Sequence, residues 1–114
     1  MEREAAKTVT LDIAVHAAVK FGEALGDNRR FSFYLQHTRT HDYRREKMKM
    51  EGAPIVYFTC HAQILVTNAE YKILHPNETA LRFAYQHSEY HENAAQAVIL
   101  ACRHIKEIVK RIGG

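Results

Sequence analysis

The feature that most constrains this chain is the apolar stripe at its end. Ala94, Ala97, Val98, Ala101, Cys102, Ile105, Ile108, Val109 and Ile112 recur at spacings of three and four, which is one face of a 3.6-residue period. The positions between them carry Gln96, Arg103, His104, Lys106, Glu107, Lys110 and Arg111. The pattern predicts an amphipathic helix over residues 94–112, about five turns long. Basic residues in its last turn and Gly113-Gly114 after it sign its end. Asn93 stands where a cap is needed, and Glu89 and Glu92 lie near the positive end of the helix dipole. A stripe of this length is more than one thin sheet covers, so part of it is expected to meet a second copy of the chain.

The residues before it read as an approach to that helix. Leu81-Arg82-Phe83-Ala84-Tyr85 alternates like a short strand, and Gln86-His87-Ser88-Glu89-Tyr90-His91-Glu92-Asn93 reads as a polar elbow. An aromatic strand, a polar turn and a basic helix face then arrive together. Residues 81–114 are therefore read as the working half of the protein.

The rest reads as support. Leu11, Ala14, Val15, Ala18, Phe21, Ala24 and Leu25 place a first helix within residues 8–25, capped by Thr8 or Thr10, with Gly22 as a point of close packing. Residues 31–36 alternate Phe31, Phe33 and Leu35 with polar neighbours, which predicts a half-buried strand. Residues 37–50 are basic and read as strand end plus exposed connection. Residues 55–60 are β-branched and aromatic, and residues 64–67 continue or resume that strand. Residues 70–75 are read as a further strand, and Pro76-Asn77-Glu78 as the turn into a last strand over residues 79–86. The expected fold is α+β: an N-terminal helix, a four-stranded antiparallel sheet, and a long C-terminal helix packed on the sheet. Short connections put both helices on one face. At 114 residues the chain is one domain, 1–114.

Composition sets limits on partners. The formal charge is +3 with eight histidines, mildly basic and short of the charge stripe of a duplex-binding domain. No apolar run has the length of a membrane span. The first residues contain acids and no apolar core, so they are not read as a signal peptide, and a cytoplasmic protein is expected. Cys60 and Cys102 sit in apolar runs and are read as buried free thiols.

Catalytic constellations do not emerge. His87 and His91 are four apart, as paired metal ligands on a helix would be, but no third ligand stands at a standard spacing. Surface or hydrogen-bonding histidines are the simpler reading, so no metal and no cofactor are expected. Ser32 and Ser88 lie in no nucleophile elbow, and no phosphate-binding glycine loop is present. The chain is read as a binding protein and not an enzyme. Candidate ligand-binding residues are Arg82, Phe83, Tyr90, Asn93, Arg103, Lys106, Lys110 and Arg111. Aromatic faces stack on bases, Asn meets base edges or ribose hydroxyls, and Arg and Lys meet phosphate. The plainer alternative makes Phe83 core, Asn93 a helix cap and the basic helix end a complement to its dipole. Two other functions stay open. One is a small nucleic-acid-binding module using sheet aromatics and a basic arm at residues 39–49. The other is a metal-dependent enzyme built on His87 and His91.

The layout of Phe21-Gly22-Glu23-Ala24 closing the first helix, a basic strand start, a central antiparallel sheet, and Arg82-Phe83-Ala84-Tyr85 leading through His91-Glu92-Asn93-Ala94 to a basic terminal helix resembles the first family of phage anti-Thoeris proteins. The resemblance covers nearly the whole chain. It implies a small homo-oligomeric sponge, a dimer or larger, with sites at subunit interfaces. Such a sponge captures cyclic ADP-ribose-like signals without cleaving them and so suppresses bacterial immune signalling in the host cytoplasm. Some members also take up cyclic oligonucleotides of CBASS immunity. The resemblance implies that Phe83 is the base-stacking aromatic and Asn93 a polar contact at the start of the terminal helix. The family's arginines late in that helix would correspond to Arg103, Lys106, Lys110 and Arg111. Lysine lacks the bidentate fork that arginine offers phosphate, which bears most on the cyclic oligonucleotides.

Overall fold

The computed structural model describes residues 9–40 and 55–113. In chain order the elements are α1 (Leu11–Leu25), β1 (Ser32–Thr40), β2 (Ile55–Leu65), α2 (Asn68–Leu74), β3 (Ala84–His91) and α3 (Ala94–Arg111). Among the described residues the sheet has three antiparallel strands in the order β1-β2-β3. The class is α+β, but the expected four strands are three. No helix among the described residues is long and apolar enough to cross a membrane.

The missing strand is α2. Residues 70–75 carry β-formers, yet Thr67 and Glu70 close a capping box: the Thr67 hydroxyl accepts from Glu70 N at 3.1 Å, and the Glu70 carboxylate accepts from Thr67 N at 3.0 Å. That reciprocal pair nucleates a helix against local β propensity, and Tyr71 turns inward as its buried residue. Arg29 locks it in place. Its guanidinium grips Glu70 with two hydrogen bonds, at 2.7 and 3.0 Å, and donates a third to the Leu65 carbonyl at 3.1 Å. The corner after α1, the end of β2 and the start of α2 are thus held by one side chain.

The second correction is at the elbow. Residues 84–91 form one regular strand, paired with β2 from Phe58↔His91 to Leu65↔Ala84. Only Glu92 and Asn93 turn the chain into α3. Residues 79–83 precede the strand, so the expected strand over 79–86 lies too early. β2 likewise runs unbroken through residues read as two pieces. The basic connection is β1 as far as Thr40, and its remainder, with the arm expected to Lys49, lies outside the described residues.

α3 has the stripe the sequence predicts. Ala97, Val98, Ala101 and Ile105 are fully buried, and Ala95, Ile108 and Val109 nearly so. It packs on β2 and β3 on one side and on α1 on the other. Ala14 and Ala18 of α1 join the core, so α1 takes up the part of the stripe that the sheet leaves. The apolar sheet face supplies Cys60, Ala62 and Ile64 from β2, with Phe31, Phe33 and Leu35 leading into and along β1. Gly22 is a close approach: a Cβ there would stand 2.9 Å from the Phe31 ring, which packs edge-on against Phe21 at 5.2 Å.

Two outcomes are expected. Gly22→Val forces Phe31 aside and lowers stability by about 1–3 kcal/mol, measured by urea unfolding. The Glu70 carboxyl is held down to about 2, first by the Arg29 hydrogen bonds and then by Thr67 N–H, from an ordinary 4.5. Its contribution is complete above the unfolded carboxyl range and is lost as pH falls from about 5 towards 2. Glu70→Gln should remove about 1–2 kcal/mol at pH 7, allowing for solvent at the rim of the pair, and flatten the acid limb of the stability curve.

Candidate functional site

The geometry of the site follows from α3 running back along β3. The strand has 8 residues and spans about 26 Å. The helix has 18 and spans about 27 Å. The last turn of α3 therefore returns to the level where β3 begins, bringing Lys110 and Arg111 to the end that carries Arg82 and Phe83. Arg111 lies close enough to Tyr85 to act on it: burial raises the phenol's pKa and the Arg111 charge pulls it back. Lys110 points outward beside Glu107, at 3.8 Å.

Phe83 is not core. Its carbonyl accepts from Val66 N at 2.8 Å, extending the ladder by one bond, while the residue is 68% exposed. It stands between two open clefts. One, of about 830 Å³, is lined by Leu25, Arg29, Thr67 and Glu70 among others. The other, of about 590 Å³, is lined by Tyr71, His75, Glu78, Arg82 and Tyr85. Both volumes are of ligand size.

The other expected site residues go elsewhere. Asn93 caps α3, its Oδ1 accepting from Gln96 N at 3.0 Å, and it sits at the far end of β3 from Phe83. Tyr90 lies on the opposite sheet face, 62% exposed, tilted against Tyr57 at 5.8 Å. Arg103 and Lys106 rim an apolar cleft of about 230 Å³ between α1 and α3, lined by Ala14, Ala18, Phe21 and Cys102. Within one chain only Arg82, Phe83, Lys110 and Arg111 share an end. The proximity expected of Phe83 and Asn93 rested on the elbow, and the strand that replaces it separates them.

A polar cluster escaped the sequence reading. Registers Cys60↔Glu89, Ala62↔His87 and Ile64↔Tyr85 put Tyr85, His87 and Glu89 on the core face of the sheet, opposite α3. His104 of α3 stacks face to face on His87, with ring centroids 3.5 Å apart, and meets the Tyr85 hydroxyl at 2.7 Å through Nε2. His87 Nε2 hydrogen-bonds Glu89. Burial first, and the neighbouring His87 second, lower the pKa of His104, which favours its neutral ring. The stack continues through Tyr85 to His75. The available signal was the period-two row Tyr85, His87, Glu89, His91, which looks like a loop because it is polar. His91 itself stands four residues along a strand from His87, about 13 Å away, so these two cannot share an ion. His91 instead accepts from Asn93 N through Nδ1 at 2.8 Å.

The open sheet face is polar in another way. His61 meets Ser88 Oγ at 2.7 Å through Nδ1 and Gln36 at 3.2 Å through Nε2, with Tyr34 stacked on its ring at 4.7 Å. Gln86 donates to Gln63 at 2.7 Å. This row is internally satisfied and lines a small cavity of about 210 Å³. Cys60 and Cys102 are pushed up to about 11 by burial, so neither thiol is a nucleophile at neutral pH.

Compared with models of known families, with curated proteins and with solved structures, the chain has no significant match.

The exposures separate scaffold from surface. In urea unfolding, Phe83→Ala should stay within about 0.5 kcal/mol of the parent. Asn93→Ala should cost about 1 kcal/mol as a lost cap, and Ile105→Ala about 2–5 kcal/mol.

Proposed function

We propose that this chain is a non-enzymatic binding protein that sequesters a small anionic nucleotide signal of the cyclic ADP-ribose type. The observation that carries the reading is Phe83: a large aromatic ring, exposed between two ligand-sized clefts, with Arg82 beside it and Arg111 returned to the same end by α3. An aromatic plate takes a base, and guanidinium groups take a pyrophosphate. The resemblance to phage anti-Thoeris sponges gives the same ligand class and a role in suppressing bacterial immune signalling from within the host cytoplasm. Cyclic oligonucleotides are the weaker candidate, because Lys106 and Lys110 lack the guanidinium fork.

Both clefts are open, whereas a tightly held small ligand has most of its surface covered. The proposed remedy is a second copy of the chain closing over the Phe83 end, so the working form is a homo-oligomer. Asn93, which caps its own helix far from its own Phe83, would reach a ligand only from that second copy. The exposed Leu81 and Ile73 near this end are apolar surface for such a contact.

A second reading is favoured by the open sheet face, where Tyr34 and Tyr90 are 61% and 62% exposed: a single-stranded nucleic acid could stack there. The two readings use opposite faces, which makes them separable.

The test is incubation with a TIR-generated cyclic ADP-ribose isomer, removal of free ligand, heat release and mass spectrometry. The expected result is intact ligand; altered ligand would mean an enzyme. Phe83→Ala should weaken binding by about 1–3 kcal/mol, roughly five- to 150-fold, at unchanged melting temperature, while Tyr90→Ala binds as the parent does. Binding lost in Tyr90→Ala, with a steep salt dependence on an oligonucleotide, would favour the second reading. A monomer in light scattering with ligand present would refute closure by a second copy.

A further inference from the structure

The core face of β3 breaks the rule that its neighbour β2 obeys. β2 turns Cys60, Ala62 and Ile64 inward, while the paired positions of β3 turn in Glu89, His87 and Tyr85. An inward row that trades apolar burial for ionisable groups costs stability, and such local conflicts gather where a protein does its work. The side chains of His87 and Glu89 are only 23% and 29% exposed, so this is no solvated edge.

We propose that His87, Glu89 and His104 form a binding site for one divalent transition-metal ion of the zinc type. The donor set is two imidazoles and one carboxylate, which suits zinc. One donor atom from each residue lies within 4.8 Å of the others. Zinc at about 2.0–2.2 Å from N and O donors sets those donors about 3.4 Å apart, so rotation of the side chains out of their near-parallel stack draws the trio in. His87 and Glu89 are two apart on one strand and therefore project from the same face as a natural chelating pair. His104 closes the site from α3. The ion takes the place of the proton shared by His87 and Glu89, and the stacked imidazoles fan apart to aim their lone pairs at it.

The outer shell is already in position. Tyr85 Oη lies 2.7 Å from His104 Nε2; in the metal-bound form Nε2–H donates to that phenol oxygen and leaves the lone pair on Nδ1. A ligating histidine held through its other nitrogen is the usual arrangement around a bound metal. The three ligands leave a fourth position for water. The site stands independently of the nucleotide reading, although Tyr85 borders both it and the Arg82–Phe83 cleft. Because α3 and β3 meet at these residues, a bound ion clamps the terminal helix to the sheet.

The experiment uses the full chain, stripped by a chelator and titrated calorimetrically with Zn²⁺, with Co²⁺ as a visible-absorption probe. The expected results are one Zn²⁺ per chain, a raised melting temperature with Zn²⁺ but not with Mg²⁺, and a Co²⁺ absorption band of low-coordinate geometry. Glu89→Gln, which keeps the shape and removes the charge, should weaken Zn²⁺ by at least about tenfold, and Tyr85→Phe by about 10–100-fold. His91→Ala controls for binding by the remaining histidines and should bind as the parent does. Absence of Zn²⁺ binding in the parent, parent-like affinity in Glu89→Gln, or loss of the Co²⁺ band in His91→Ala would each overturn the proposal.

Discussion

The fold depends on how closely α3 approaches its two neighbours. Its buried face is built from small residues, Ala95, Ala97 and Ala101, interrupted by Val98, Ile105, Ile108 and Val109. Alanine lets the helix axis come near, and the branched residues fill what remains. On one side the partners are also small, Ala14 and Ala18 of α1. On the other they are Cys60, Ala62 and Ile64. A larger residue at Ala97 or Ala101 would push α3 off both layers at once, and overpacking of that kind costs about 1–3 kcal/mol or more. No other element contacts the sheet and another helix so extensively.

Both proposed sites rest on the same placement. Since α3 and β3 have matching lengths and opposite directions, the basic last turn of the helix comes back to Arg82 and Phe83, and His104 comes to rest over His87. The first juxtaposition supports an anionic-ligand site, and the second the metal site. Tyr85 touches both, facing the cleft at Arg82 and bonding His104. An ion at His87, Glu89 and His104 would therefore stiffen the wall of the cleft as well as the helix–sheet junction.

What was legible in the sequence was whatever had one period and one chemistry. The α3 stripe, the α1 stripe with its Gly22 contact, and the apolar strands of β1 and β2 all read correctly in kind. α2 did not, because residues 70–75 have β-forming side chains and the decisive signal was the capping box that joins Thr67 to Glu70 at their head. β3 did not, because its inward row is polar, and polarity without apolar alternation looks like a turn. That misreading then carried the site with it: Phe83, Tyr90 and Asn93 seemed adjacent across an elbow, whereas a straight strand sends them to one end, the far face and the other end. Cross-strand register, which no single-sequence pattern supplies, decided which residues met.

The most direct test of the account is a crystal structure of the protein with a cyclic ADP-ribose isomer bound. The account predicts the adenine against the Phe83 ring, the pyrophosphate at Arg82 and Arg111, and a second copy of the chain closing the cleft. Ligand density on the open sheet face at Tyr34 and Tyr90, with Phe83 untouched, would contradict it.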